Sequence, residues 1–149
     1  MHKKYFSRFF WALFKTEANY MASYNSENNP TTVLIVDDDP FVLEMVKEQL
    51  FNLGHTVLTA CCGDDALEKA KEISGIDILL TDIMMPTMNG IELAKELIKL
   101  LPKVKIIFMS GFLESSVQDQ ELPQEKYPIL EKPFSLDKLK TEFSRVLTN

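Results

Sequence analysis

The chain has 149 residues and a net charge of −6, with 46% hydrophobic and 26% charged residues. These values suit one globular domain with a real core. Lys3, Lys4, Arg8 and Lys15 against Glu17 and Glu27 give residues 1–30 a charge of +2, which leaves −8 on residues 31–149. An acidic body without a basic cluster argues against direct nucleic-acid binding. The two cysteines, Cys61 and Cys62, are adjacent. Neighbours seldom pair and two thiols alone build no zinc site, so reduced thiols in a cytoplasmic protein are expected.

Residues 1–30 read as an N-terminal extension and linker. Phe6, Phe9, Phe10, Leu13 and Phe14 fall at helical spacing among basic residues, a pattern suited to an anionic membrane surface. Membrane contact is therefore expected, if anywhere, only through residues 1–15; no run approaches the length of a span. Residues 16–32 are polar and contain Pro30. The compact domain is expected over 31–149.

Within that domain strands and helices alternate. Val33–Val36 is an apolar run that ends on Asp37-Asp38. Asp39 is placed to cap a helix with Pro40 in its first turn. Val42, Met45, Val46, Leu50 and Leu53 mark its buried face, and Gly54 stops it. His55–Ala60 alternates as a strand; His55 itself shows no partner in the sequence. Asp64 is the expected cap of a second helix with Ala66, Leu67, Ala70 and Ile73 inward, ended by Gly75. Ile76–Thr81 forms a third strand running into Asp82. Asn89-Gly90 closes a loop before a helix marked by Ile91, Ala94, Ile98 and Leu101, which Pro102 terminates. Lys105–Ser110 is the fourth strand. Residues 111–127 have weak periodicity and suggest a short or frayed helix. Pro128–Leu130 is a brief last strand, and Ser135 caps a helix with Leu136, Leu139, Phe143, Val146 and Leu147 inward. Five such units predict an α/β fold: a flavodoxin-like, doubly wound, five-stranded parallel sheet with helices on both faces.

In this arrangement Asp37, Asp38 and Asp82 converge at the C-terminal edge of the strands, where open α/β sheets bind ligands. Like charges about 4 Å apart repel by on the order of 4 kcal/mol at an effective dielectric near 20. A hard divalent cation relieves this, and an all-carboxylate donor set suits Mg²⁺ better than zinc. Ser110 and Lys132 follow the fourth and fifth strands to the same edge.

The stretches Val33-Leu34-Ile35-Val36-Asp37-Asp38-Asp39-Pro40, Leu80-Thr81-Asp82-Ile83-Met84-Met85-Pro86-Thr87-Met88-Asn89-Gly90, Phe108-Met109-Ser110-Gly111 and Lys132-Pro133-Phe134 resemble, in this order, the receiver domain of two-component response regulators. The resemblance covers about residues 31–149, and the segment before the last strand looks like that of receivers found in or beside hybrid sensor kinases. It implies that Asp82 accepts a phosphoryl group from a histidine kinase or a histidine phosphotransfer protein. It implies Mg²⁺ ligation by Asp38, Asp82 and the backbone carbonyl of Met84, with Asp37 holding the ion through water. Lys132 and Ser110 are then expected to contact the phosphoryl oxygens. No turnover enzyme is implied beyond Mg²⁺-dependent self-phosphorylation and dephosphorylation. An aromatic residue is usual three positions before the lysine; here Ile129 stands there, with Tyr127 two residues earlier. The chain ends two residues after Leu147, so a stand-alone receiver signalling through an unknown protein target is expected. Two rival readings are a docking module that is never phosphorylated, and an Asp-nucleophile phosphatase. The latter normally has a second acid two residues after the nucleophile, where this chain has Met84.

Overall fold

The computed structural model describes residues 30–111 and 126–149. The expected extension, the amphipathic segment 1–15 and most of the weakly periodic stretch lie outside the described residues. Thr31–Asn149 forms a compact unit of its own.

The described elements are β1 (Thr32–Val36), α1 (Pro40–Asn52), β2 (Thr56–Ala60), α2 (Gly63–Glu72), β3 (Ile78–Asp82), α3 (Gly90–Leu100), β4 (Lys105–Ser110), β5 (Ile129–Glu131) and α4 (Leu136–Thr148). All four strand pairings are parallel, in the order β2-β1-β3-β4-β5. This is the flavodoxin-like doubly wound order, with its switch point between β1 and β3.

The strands are built from Val, Leu and Ile because both faces of the sheet are covered. Leu34, Val36, Leu79, Ile106 and Phe108 join Ala66 and Ala70 of α2 and Ile91, Ala94 and Leu97 of α3 in one cluster. The alternate residues Val33, Ile35, Ile78, Leu80, Ile107 and Met109 are also buried. Helix α1 packs on β1 and β2, and α4 on β4 and β5.

Helix starts follow local chemistry. The Asp39 carboxylate accepts from the Phe41 N–H at 2.9 Å and Pro40 opens α1, as expected. Ser135 caps α4 by accepting from the Lys138 N–H. At α3 the Asn89 side chain accepts from the Ile91 and Glu92 N–H groups, while the Glu92 carboxylate accepts from the Asn89 N–H. That reciprocal capping box makes Asn89-Gly90 a helix start rather than only a loop closure.

Several expectations are corrected. Cys62, not Asp64, is the N-cap of α2; Asp64 lies in the first turn, where its charge still favours the helix dipole. Met45 is 46% exposed, because the inward stripe of α1 runs through Val46 and Leu50. In α3 the fully buried residues are Leu93 and Leu97, while Ile98 is only partly buried. Helix α2 stops at Glu72, short of Gly75, and β3 begins at Ile78 rather than Ile76. His55 has partners after all. It is buried just before β2, its Nδ1 lies 2.9 Å from the Thr31 hydroxyl, and its ring packs on Phe143 at 5.4 Å between centroids.

Candidate functional site

Strand pairing alone brings the site residues together. Val36 at the end of β1 is in register with Thr81 of β3, and Asp82 with Met109 of β4. Asp37 and Asp38 therefore emerge beside Asp82, and Ser110 lies one residue beyond its level on the next strand. Ser110 is in register with Glu131 of β5, so Lys132 follows directly, its N–H donating to the Ser110 carbonyl at 2.7 Å.

One carboxylate oxygen from each of Asp37, Asp38 and Asp82 lies within 4.8 Å of the others. Asp37 and Asp82 are buried and Asp38 is exposed. The Asp37 carboxylate also accepts from the Asp39 N–H at 2.9 Å, and its own N–H donates to the Ala60 carbonyl. Asp37 is thus fixed by β2 on one side and by the entry to α1 on the other.

The three acids do not stand alone. Lys132 Nζ is 2.6 Å from Asp37 Oδ2 and 3.3 Å from Asp82 Oδ1. A cation held between two carboxylates offsets much of the repulsion read from the acids alone. Burial pushes the Asp82 carboxyl above its ordinary range; the Lys132 charge pulls it down, but Asp37 and Asp38 push it up again. Burial pulls the Lys132 ammonium down, yet the hydrogen bond to Asp37 and the charges of Asp82 and Asp37 leave it above the ordinary value. The pair is therefore a carboxylate under pressure to be neutralised and a firmly protonated lysine.

The backbone around Asp82 is closely fitted. The Thr81 hydroxyl donates to the Asp82 carbonyl at 3.0 Å, and the Gly90 N–H donates to the Ile83 carbonyl at 2.9 Å. A Cβ on Gly90 would lie 2.9 Å from the Asp82 carbonyl carbon and 3.1 Å from the Ile83 Cα. Only glycine lets α3 start against the end of β3. Thr87, in the same loop, has φ +73°, a left-handed conformation uncommon for a β-branched residue. Neither residue was singled out for this role from sequence; the spacing of Asn89 and Glu92 was the one available signal. Met84 lies two residues past Asp82 with its side chain 59% exposed. Tyr127 packs edge-on against Phe108, with ring centroids 6.0 Å apart.

Among the described residues, no helix is long and apolar enough to cross a membrane. All three donors of the acidic cluster are hard oxygen ligands, a set that fits Mg²⁺ and does not fit zinc.

The chain is similar to several known proteins. The chain is 38% identical over 117 residues to the sensor kinase CckA of Brucella abortus, covering 78% of this chain and 12% of CckA. It is 34% identical to the response regulator receiver protein CpdR of the same organism, covering 77% of this chain and 95% of CpdR. The chemotaxis protein CheY of Thermotoga maritima is 35% identical over 76% of this chain and 95% of its own length. Among solved structures, the response regulator TrrA of Thermotoga maritima, in complex with Mg²⁺ and BeF, superposes with a TM-score of 0.67 at 31% identity, covering 78% of this chain and 99% of that one. CheY4 of Vibrio cholerae gives 0.70 at 30%, covering 79% and 99%. The family model for the response regulator receiver domain matches residues 33–144. With its parallel sheet, its acid cluster at the β1/β3 edge and this match along most of its length, the chain belongs to the response regulator receiver domain family of two-component signalling.

Proposed function

We propose that the chain is a phosphoacceptor receiver in which Asp82 takes a phosphoryl group from the histidine of a sensor kinase or phosphotransfer protein. The observation that carries this reading is the Asp37–Asp38–Asp82 cluster with Lys132 seated between two of the acids. An oxygen of Asp82 attacks phosphorus, the N–P bond of the donor breaks, and the histidine nitrogen leaves with the electron pair. Asp38, Asp82 and the backbone carbonyl of Met84 are the proposed Mg²⁺ ligands, with Asp37 holding the ion through water. When bound, Mg²⁺ supplies positive charge that favours ionised Asp82 and neutralises the incoming phosphoryl oxygens. Lys132 then exchanges part of its contact with the acids for the phosphoryl group, and Ser110 donates to another of its oxygens.

Such contacts exist only after phosphorylation, so they favour the signalling conformation by differential binding. Output through a separate protein target is part of the same proposal. The phosphatase reading is disfavoured by Met84, which stands where its second acid is needed. The docking-module reading is disfavoured by retention of the acid cluster and Lys132.

The test is incubation with acetyl phosphate followed by intact-mass measurement. One phosphoryl adduct is expected with Mg²⁺, little in EDTA, and none on Asp82→Asn. Equal labelling in EDTA, or an adduct on the Asn variant, would overturn the assignment.

A further inference from the structure

We propose that the cleft at the N-terminal ends of β4 and β5 binds a small organic monoanion, a carboxylate on a flat apolar body. The site is separate from the acid cluster and independent of the role given to Asp82. The cleft holds about 320 Å³ and lies where α3 and α4 end. Cavities of about 300–1,000 Å³ are the usual size for small ligands. Ile98, Val104, Tyr127 and Val146 give it apolar walls. Among the described residues, Lys105, Lys126 and Arg145 are the only charged side chains that line it. The Tyr127 ring is held edge-on by Phe108, and Lys126 Nζ lies 5.2 Å from its centroid. An aromatic wall and a cation therefore meet at one place.

Charge sets the sign of the occupant. Residues 31–149 carry −8, yet three cations far apart in sequence gather at this cleft. Part of that charge has a local reason, because the C-terminal ends of α3 and α4 each present roughly half a negative charge. Arg145 Nη1 also lies 3.5 Å from Glu142 Oε2, but Glu142 takes Lys138 at 2.9 Å as well. Asp77, whose carbonyl accepts from the Lys105 N–H, turns its carboxylate to the Thr32 N–H at 2.8 Å instead. Among the described residues Lys105 and Lys126 form no ion pair. Two helix ends and one shared carboxylate offset about two of the three charges, which leaves roughly one positive charge in surplus. An unpaired surface lysine is ordinary; a surplus around an apolar cleft of molecular size points to an anion. A carboxylate matches the planar fork of Arg145. Inorganic phosphate would exceed the surplus and leave the apolar walls in water.

The position bears on the rest of the fold. Strand β4 starts at Lys105 in the cleft and ends at Ser110, and β5 runs from Ile129, beside the cleft, toward Lys132. At about 3.3 Å per residue, the two ends of β4 are roughly 17 Å apart. An occupant would brace both strands from the end opposite the acid cluster.

The experiment titrates the full chain with 2-naphthoate and, separately, with 2-naphthamide, a neutral amide of nearly the same shape, and follows backbone amide shifts by NMR. Naphthoate should give saturable shifts centred on Lys105, Tyr127 and Val146, with half-saturation below about 1 mM. Naphthamide should bind about 10-fold more weakly, because it carries no charge for the cations to meet. A triple variant, Lys105→Gln with Lys126→Gln and Arg145→Gln, checked for wild-type melting, should weaken naphthoate by about 10-fold and leave naphthamide unchanged. Equal affinity of the wild type for the two probes would overturn the proposal without any variant. So would shifts that scatter over the surface or fail to saturate, or a triple variant that binds naphthoate as the wild type does.

Discussion

Gly90→Ala should damage the site without touching any of its charged groups. The new methyl carbon would sit 2.9 Å from the Asp82 carbonyl carbon and 3.1 Å from the Ile83 Cα. The Asp82 carbonyl oxygen would lie closer still than either carbon, and comfortable contacts are about 3.5–4.0 Å, so the backbone must withdraw by about 1 Å or more. Neither neighbour yields easily. Asp82 is held by the Thr81 hydroxyl and by its pairing with β4, and Gly90 by its bond to the Ile83 carbonyl. Overpacking of this kind costs about 1–3 kcal/mol. Better helix propensity returns at most about 1 kcal/mol, and less at a first-turn position. A net loss near 2 kcal/mol would lower the melting temperature by about 8 °C for a domain of this size. The larger effect should be on labelling. A displacement approaching 1 Å in the attacking carboxylate can cost on the order of 100-fold in rate. Thermal melts and the acetyl phosphate time course read the two effects separately. Gly111→Ala is the control for stability, because nothing lies within 4 Å of its added Cβ. If Gly90→Ala melts within 1 °C of wild type and labels at the wild-type rate, the close-fit argument is wrong.

Other consequences are equally open to measurement. Asp82→Asn should stabilise the metal-free protein at neutral pH, because its folded-state carboxyl is pushed up and therefore disfavours ionisation. For such an acid the folded state binds more protons than the unfolded one, so the penalty is present above the folded pKa and fades as pH falls toward 3.8. Melts in EDTA from pH 4 to pH 8 should show the wild-type curve converging on the variant at the acid end; parallel curves would count against it. His55 is pushed down by burial, so the folded state binds fewer protons than the unfolded one. Stability should fall as pH drops through about 6.5, and His55→Gln should flatten that slope while lowering overall stability. Thr87→Gly should raise stability by about 1 kcal/mol by relieving the left-handed backbone; a lower urea midpoint would show that the Thr87 side chain contributes more than its strain. Lys132→Ala should destabilise the metal-free protein by roughly 3 kcal/mol, because it leaves Asp37 buried beside Asp82 without a counter-charge. Added Mg²⁺ should restore much of that loss, and a melt insensitive to Mg²⁺ would speak against metal binding at the cluster.

What could be read from the chain was what depends on neighbours in sequence. Asp39-Pro40 signals a helix start wherever it occurs, and the apolar runs ending in Asp37 and Asp82 place both acids at one sheet edge. The misread features depend on partners far along the chain. Met45 looks like part of an apolar stripe, but α1 turns its Val46–Leu50 side to the sheet and leaves Met45 in water. His55 looked isolated because Thr31 and Phe143 are distant from it in sequence. The Lys132 contact with Asp37 spans 95 positions, so the acids looked barer than they are. Gly90 was legible as a turn residue, but its closeness to the Asp82 carbonyl appears only when β3 and α3 are placed together.

That 95-residue span also sets an order of events during synthesis. Both halves of the acid cluster have left the ribosome about 50 residues before Lys132 does. At about 5–20 residues per second, a nascent chain carries three gathered carboxylates for several seconds before their lysine arrives. Without a divalent cation to balance that charge, completion of this sheet edge is expected to wait for β5 and its lysine. Truncation before residue 132 should therefore leave more than a missing strand: it should leave an edge that resists assembly.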